Sequence, residues 1–235
     1  TWTVDDDGPA NFSSILEAID AADPEDTILV ASGRYFENDT EVLGRIKIYK
    51  SLTLLGENPY TTIIEGFLWI VASNVLVEGF TIGAYEVEMH EAGPILANSN
   101  NGVLRNNILL GNGAWNLMSF EPGILIGGSG WTIKGNTVLG LPESGWTGIK
   151  VVGSENIVIN NNFGNKDFPI PFGLGIIFSG SMIYHNNFYV TGSSYGCMGG
   201  GNIWDNGYPS GGNYWSDYTG VDLYSGSYQN ETGSD

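Results

Sequence analysis

Cationic side chains are scarce. The 235 residues hold 8 Lys and Arg against 26 Asp and Glu, a formal charge of −18. Unaided binding to nucleic acid or to an anionic membrane is thereby excluded, because both need a cationic face to displace counterions. Charge of either sign is sparse: 14% of residues are charged and 42% are hydrophobic, so the chain is not a solvated acidic tail. The single cysteine, Cys197, excludes an internal disulfide framework. It is a small buried apolar residue, a free thiol or half of an intermolecular bridge. No apolar run approaches the roughly 18 residues of a membrane span; the best is Phe67–Ala72. No secretory leader is present and the first four residues already read as a strand, which predicts a mature chain whose leader was removed. Asn11, Asn38 and Asn230 open N-glycosylation sequons. Together these point to an extracellular protein.

What is present is a repeat. Five segments superpose without gaps, starting at Val75, Gly102, Trp131, Ile157 and Met182, with starts 27, 29, 26 and 25 residues apart. A second set keeps step with them, at Ile95, Ile124, Ile149 and Ile176. Short β-branched runs punctuated by Gly and Asn are strands, not helices. Two such runs per 25–29 residues describe a coiled solenoid. A β-propeller needs four strands in roughly 40–45 residues, and a leucine-rich repeat needs its own Leu frame; neither fits. The fold class expected is all-β, a single-stranded right-handed parallel β-helix of about six or seven turns.

In this gapless superposition Asn107, Asn136, Asn162 and Asn187 share one position, and Asn106, Asn161 and Asn186 the one before it. Equal positions of stacked turns lie about 4.8 Å apart, a spacing at which inward amides bond up and down the stack. The expectation is a structural Asn ladder of Asn107, Asn136, Asn162 and Asn187. The same superposition puts Glu78, Arg105, Lys134, Asn160 and His185 in an outward column.

Such a stack exposes core and strand edges at its ends, so each end needs a cover. Ser14 and Glu17 form a capping box, and Ile15, Ala18, Ile19 and Ala22 share a helical face, predicting a covering helix at about 14–22. The division expected is 1–194 for the β-helix with this cap and 195–235 for a Gly/Tyr/Trp-rich segment. That segment is a cap on the last coil, a subunit contact or a glycan platform, with Trp204, Tyr208, Tyr214, Trp215 and Tyr218 as its surface.

The opening Trp2–Ile19, then 26–30, 33–38, 51–57 and 62–66, resembles the start of pectin-lyase-like right-handed parallel β-helix proteins. More specifically the chain resembles the NosD-like group with its carbohydrate-binding and sugar-hydrolase type repeats. The stretch Gly212–Asp222 is similar to a segment of archaeal surface proteins of that group. The resemblance covers nearly the whole chain and implies the fold. For function it implies a mixed set: surface proteins, sugar-binding proteins and a periplasmic factor for copper-site assembly.

Catalytic groups are hard to assemble. A glycoside hydrolase needs two carboxylates about 5–9.5 Å apart. Between residues 100 and 200 the acids are Glu121, Glu143, Glu155 and Asp167, at different repeat phases. A uronate lyase needs a strong base and calcium ligands; adjacent Arg105 and Lys134 suit an acidic sugar, or are ordinary solvated side chains. Glu86, Glu88 and His90 would share a face of a strand, a donor set for zinc or another transition ion, or else an exposed acidic loop. No cofactor is required; Ca2+ suits the acidic surface or the C-terminal segment.

The reading is therefore a secreted, non-catalytic structural protein of an archaeal-type envelope, a surface layer or sheath. Its partner is itself, met through the β-helix ends or faces, with cell-surface polysaccharide second. An extracellular carbohydrate-binding module is the alternative, and a polysaccharide lyase, hydrolase or epimerase the next.

Overall fold

The structure is a computed structural model describing residues 1–37, 42, 44–83, 93–111, 124–139, 149–167, 170–171, 176–191, 200–220, 224–225 and 231–232. The chain winds as a right-handed parallel β-solenoid of about six turns, with one short helix. Each full coil places one strand in each of three sheets. The first and second sheets have eight strands and the third has six, and in every sheet a strand pairs with its counterpart one coil away. All these pairings are parallel: Leu76 aligns with Val103, Val103 with Thr132, Thr132 with Ile157 and Ile157 with Met182.

The alternation within each strand makes the core. In the first sheet Ile28, Leu54, Val77, Leu104, Ile133, Val158 and Ile183 point inward, all fully buried. Burying one such side chain stabilises by roughly 1.5–3 kcal/mol, and in-register stacking repeats that gain at every coil. At the far end the inner column of the second sheet becomes aromatic. Phe163 stacks on Phe188 with ring centroids 4.9 Å apart, and Phe188 on Trp215 at 4.4 Å.

Corners fix the phase. Between the first and second sheets the chain turns through one left-handed residue per coil: Gly79, Asn106, Gly135, Asn160 and His185, with φ between 55° and 85°. Glycine enters that region freely and Asn more readily than most residues. The next position points inward and carries the amide ladder. The Oδ1 of Asn136 accepts from the backbone N of Asn107 at 3.0 Å, that of Asn161 from Asn136, that of Asn186 from Asn161, and that of Asn213 from Asn186. Each Nδ2 also donates to a carbonyl of the preceding coil: Asn136 to Leu104 at 2.8 Å, Asn161 to Ile133 at 2.9 Å, Asn186 to Val158 at 2.8 Å.

The ladder is thus Asn107, Asn136, Asn161, Asn186 and Asn213, which corrects the expected set. Asn162 and Asn187 lie one residue further on, half-buried on the outward side of the second sheet, and bond to each other at 2.7 Å. The gapless superposition slipped by one between Trp131 and Ile157, since Trp131 aligns with Asn156 and Thr132 with Ile157. A one-residue slip exchanges the two faces of every strand. For the same reason Asn160 and His185 are corner residues, and the outward column continues from Lys134 to Ile159 and Tyr184.

Both ends of the stack are covered. Helix Ile15–Ala21 buries Ile15, Ala18 and Ile19 over the first coil, and the Ser14 hydroxyl accepts from Glu17 N at 3.2 Å. The carboxylate serving the other free donors belongs to Glu37, which accepts from Ser14 Oγ at 2.9 Å and from Leu16 N at 2.7 Å, and also from Ile15 N. A carboxylate there satisfies the open N–H groups and favours the helix dipole. At the other end, residues 202–216 add part of a further coil, past the boundary expected at 194: Tyr214–Trp215 extends the second sheet and Asn213 the ladder. Asn213 Nδ2 then donates to Trp204 O at 3.0 Å, where an earlier rung would meet the next asparagine.

Three outcomes follow from this packing. Replacing Asn136 with Ala strands the Asn107 amide donors and the Leu104 carbonyl in the core, and lowers unfolding free energy by about 3 kcal/mol. Asn187→Ala lowers it by under about 1 kcal/mol. Chemical denaturation of the two variants checks this ordering, which the expected ladder does not give. Gly102 faces the Trp131 indole so closely that a Cβ would overlap the ring. Gly102→Ala therefore destabilises by about 2 kcal/mol, and by clearly less when Trp131 is already Leu, which a double-mutant cycle reads. The Tyr35 hydroxyl, donated to Ala31 O at 3.0 Å, is pushed up to about 12 by burial and then by the charges of Asp6 and Asp5. The unfolded chain ionises first, near 10. The contribution of Tyr35 is therefore complete below about pH 10 and is lost on going to about pH 12. Tyr35→Phe lacks that alkaline component, as unfolding free energies across this range will show.

Candidate functional site

With the inside committed to packing and ladders, function falls to the outward faces. On the first sheet two outward columns run in register. One holds Thr27, Thr53, Leu76, Val103, Thr132, Ile157 and Met182, and the other Leu29, Leu55, Glu78, Arg105, Lys134, Ile159 and Tyr184. Half of these fourteen residues are aliphatic, three are threonines, and three charges sit at the centre. Arg105 pairs with Glu78 at 2.6 Å, and Asn106 Nδ2 adds a bond to the same carboxylate at 2.8 Å. A half-exposed pair of this kind contributes at most about 1 kcal/mol. Lys134 stands one rung beyond Arg105.

The third sheet presents Trp69 with two cations over its ring, Arg45 at 4.6 Å and Lys47 at 4.7 Å from the centroid. The ring face attracts both cations electrostatically. On the second sheet Arg34 pairs with Glu65. At the last described corner the His185 ring nitrogen Nε2 lies 2.6 Å from Ser210 O, and the ring sits edge-on to Tyr184 at 5.1 Å. Among the described residues no two carboxylates share a column of these sheets, so the two-carboxylate geometry of a glycoside hydrolase is not assembled there.

The expected aromatic platform divides. Trp204 and Trp215 pack against the core, Trp215 on Phe188 and Trp204 edge-on to Phe178 at 5.7 Å. They close the last coil, and only Tyr208, Tyr214 and Tyr218 are exposed, at 58%, 51% and 72%. The inward phase of Trp215, two residues after a ladder asparagine, decides this. Asn11 is exposed, its Oδ1 accepting from Thr3 N and Oγ1. Glu86, Glu88, His90, Asn38, Cys197 and Asn230 lie outside the described residues.

Asp5, Asp6 and Asp7 bring carboxylate oxygens within 4.8 Å of one another. Two of them serve the backbone: Asp5 Oδ1 accepts from Gly8 N at 3.1 Å and Asp6 Oδ2 from Arg34 N at 3.1 Å. The cluster shapes the turn before the helix. The ladder residues Asn161, Asn186 and Asn213 and the cap Glu37 are the functional packing groups missed from sequence. The Gly212-Asn213 pair, repeating Gly135-Asn136, was the signal available for Asn213.

No curated protein matches the chain. Among solved structures it is similar to a pectin methylesterase from carrot, with 13% identity, TM-score 0.50, and coverage of 91% of this chain and 85% of that one. A pectin methylesterase from Aspergillus niger matches at 14% identity over 94% of this chain and 91% of its own, with TM-score 0.36. At such identity the likeness concerns the fold alone. The family described as "Periplasmic copper-binding protein (NosD)" matches residues 69–220. Copper favours histidine, cysteine and methionine donors. The chain has two His, one Cys and four Met. Among the described residues these are His185 and Met182, on a corner and on a sheet face, with the His185 ring engaged by Ser210. The described residues thus do not form a copper site. Repeat, fold and family match agree over well more than half of its length, and the chain belongs to the NosD family of parallel β-helix proteins.

Proposed function

We propose that this protein is an exported, non-catalytic scaffold of the cell envelope, a component of a surface layer or sheath that associates with copies of itself. The observation that carries the reading is the pairing of covered ends with an open side. The helix and Glu37 cover the first coil, Trp204 packs over the last, and seven aliphatic side chains remain on the outward face of the first sheet. A helix over the first coil opposes coil-on-coil stacking at that end, which favours lateral association. A periplasmic family description and the absence, among the described residues, of a helix long and apolar enough to cross a membrane are consistent with it.

Sedimentation over a range of concentrations, with electron microscopy of native material, tests this. The expected result is reversible mass increase with concentration and ordered arrays on the cell. A protein that stays monomeric at its solubility limit, and is scattered singly on the cell, overturns the reading.

A carbohydrate-binding module is the second reading, favoured by the exposed Tyr214 beside Tyr189, with rings 5.7 Å apart. Aromatic faces stack on sugars. Glycan-array binding that disappears with Tyr214→Ala supports it, and an array without binding removes it.

A further inference from the structure

We infer that two copies meet through the outward face of the first sheet, packed face to face and antiparallel. This rests on the self-association reading above and names the surface. Charge selects the face first. A chain at −18 repels its copy almost everywhere. On this face the count is Glu78 at −1 against Arg105 and Lys134 at +1 each, so approach there meets no acidic surplus.

Shape and apolarity agree. Parallel strands in register make a corrugated surface with ridges about 4.8 Å apart, and a second such surface packs on it at about 10 Å. Aliphatic side chains lie on both halves of the face, Leu29, Leu55, Leu76 and Val103 toward the first coils and Ile157, Ile159 and Met182 toward the last, where Ile203 bridges to Met182 and is 53% exposed. Leu29 at the opposite end is 42% exposed. Aliphatic side chains recurring along an exposed sheet face, between threonines and a few charges, make a surface that a partner can cover.

Charge also sets the direction. A parallel pairing in register brings Arg105 and Lys134 onto the same rungs as Arg105 and Lys134 of the second copy. An antiparallel pairing about a dyad between the Glu78 and Arg105 rungs places Glu78 against Arg105 of the second copy, and Lys134 against Leu55. The face spans seven strand spacings, about 34 Å, by two outward columns. It offers about fifteen residues against the 20–30 a side of a stable interface, so the association is weak and concentration-dependent. It strengthens with salt, because screening relieves the repulsion between acidic copies while apolar contacts persist.

Sedimentation equilibrium of the full chain at low and high salt provides the test, with thermal unfolding of each variant alongside. Val103→Glu, at the centre of the face, is expected to weaken association by about tenfold or more without a matching loss of stability. Asn162→Glu, outward on the second sheet, is expected to stay within about twofold of the unaltered protein. Should Val103→Glu fail to fold, Val103→Thr keeps the strand preference and is expected to weaken association about threefold. Unchanged association of the folded Val103 variant, or weakening by Asn162→Glu instead, overturns this face and leaves self-association standing. An unaltered protein that stays monomeric at high salt overturns both.

Discussion

The hydrogen bonds of one buried amide column hold the coils in phase, and the rest of the structure depends on that phase. Each rung joins three coils: its Oδ1 accepts from the backbone and side-chain amides of the rung before, and its Nδ2 donates to a carbonyl of that earlier coil and to the Oδ1 of the next rung. A shift of one residue would leave these groups unpaired in the core, where each costs about 1–3 kcal/mol. Hydrophobic burial supplies most of the stabilisation but does not specify register, because Ile, Leu and Val fit one another at many offsets. The amides do specify it. Once they are set, the inner columns of all three sheets and the aromatic stack ending at Trp215 fall into line.

The same phase decides what faces outward. Ladder and strand alternation together put Val103, Ile157 and Met182 outside and Leu104, Val158 and Ile183 inside. They also turn Trp204 and Trp215 inward, so the most aromatic part of the sequence closes the last coil. What remains exposed is a set of long lateral surfaces with different chemistry. The first sheet mixes aliphatic side chains with threonines and three charges, the second carries amides and tyrosine, and the third holds Trp69 beneath two cations. In the proposed self-association, those lateral surfaces are the ones that meet.

Much of the architecture was legible in the sequence because period and composition survive small errors. The two strand runs per coil, the capping serine at 14 and the need for end covers are local or averaged signals. The phase of single residues was less legible. Paired asparagines at 106–107, 161–162 and 186–187 offer two registers that differ only in what precedes them. The deciding feature is the left-handed corner, which accepts Gly, Asn or His alike and so leaves no single-letter mark. The Glu37 cap was hidden for another reason: its helix partners are more than twenty residues away in sequence and meet it only once the first coil has closed. The Gly/Tyr/Trp-rich tail read as a cap, a subunit contact or a glycan platform alike, because composition does not tell an inward aromatic from an outward one; only the distance from a ladder asparagine does.

Hydrogen exchange of the asparagine side-chain amides, followed by NMR, addresses the phase most directly. The Nδ2 protons of Asn107, Asn136, Asn161 and Asn186 should be protected over hours, as members of one buried column. Those of Asn162 and Asn187, half-buried on the outer side, should exchange much faster. Fast exchange in the first group, or protection of Asn162 and Asn187 in its place, would mean that the coils stack in another phase, and the outward faces described above would dissolve with it.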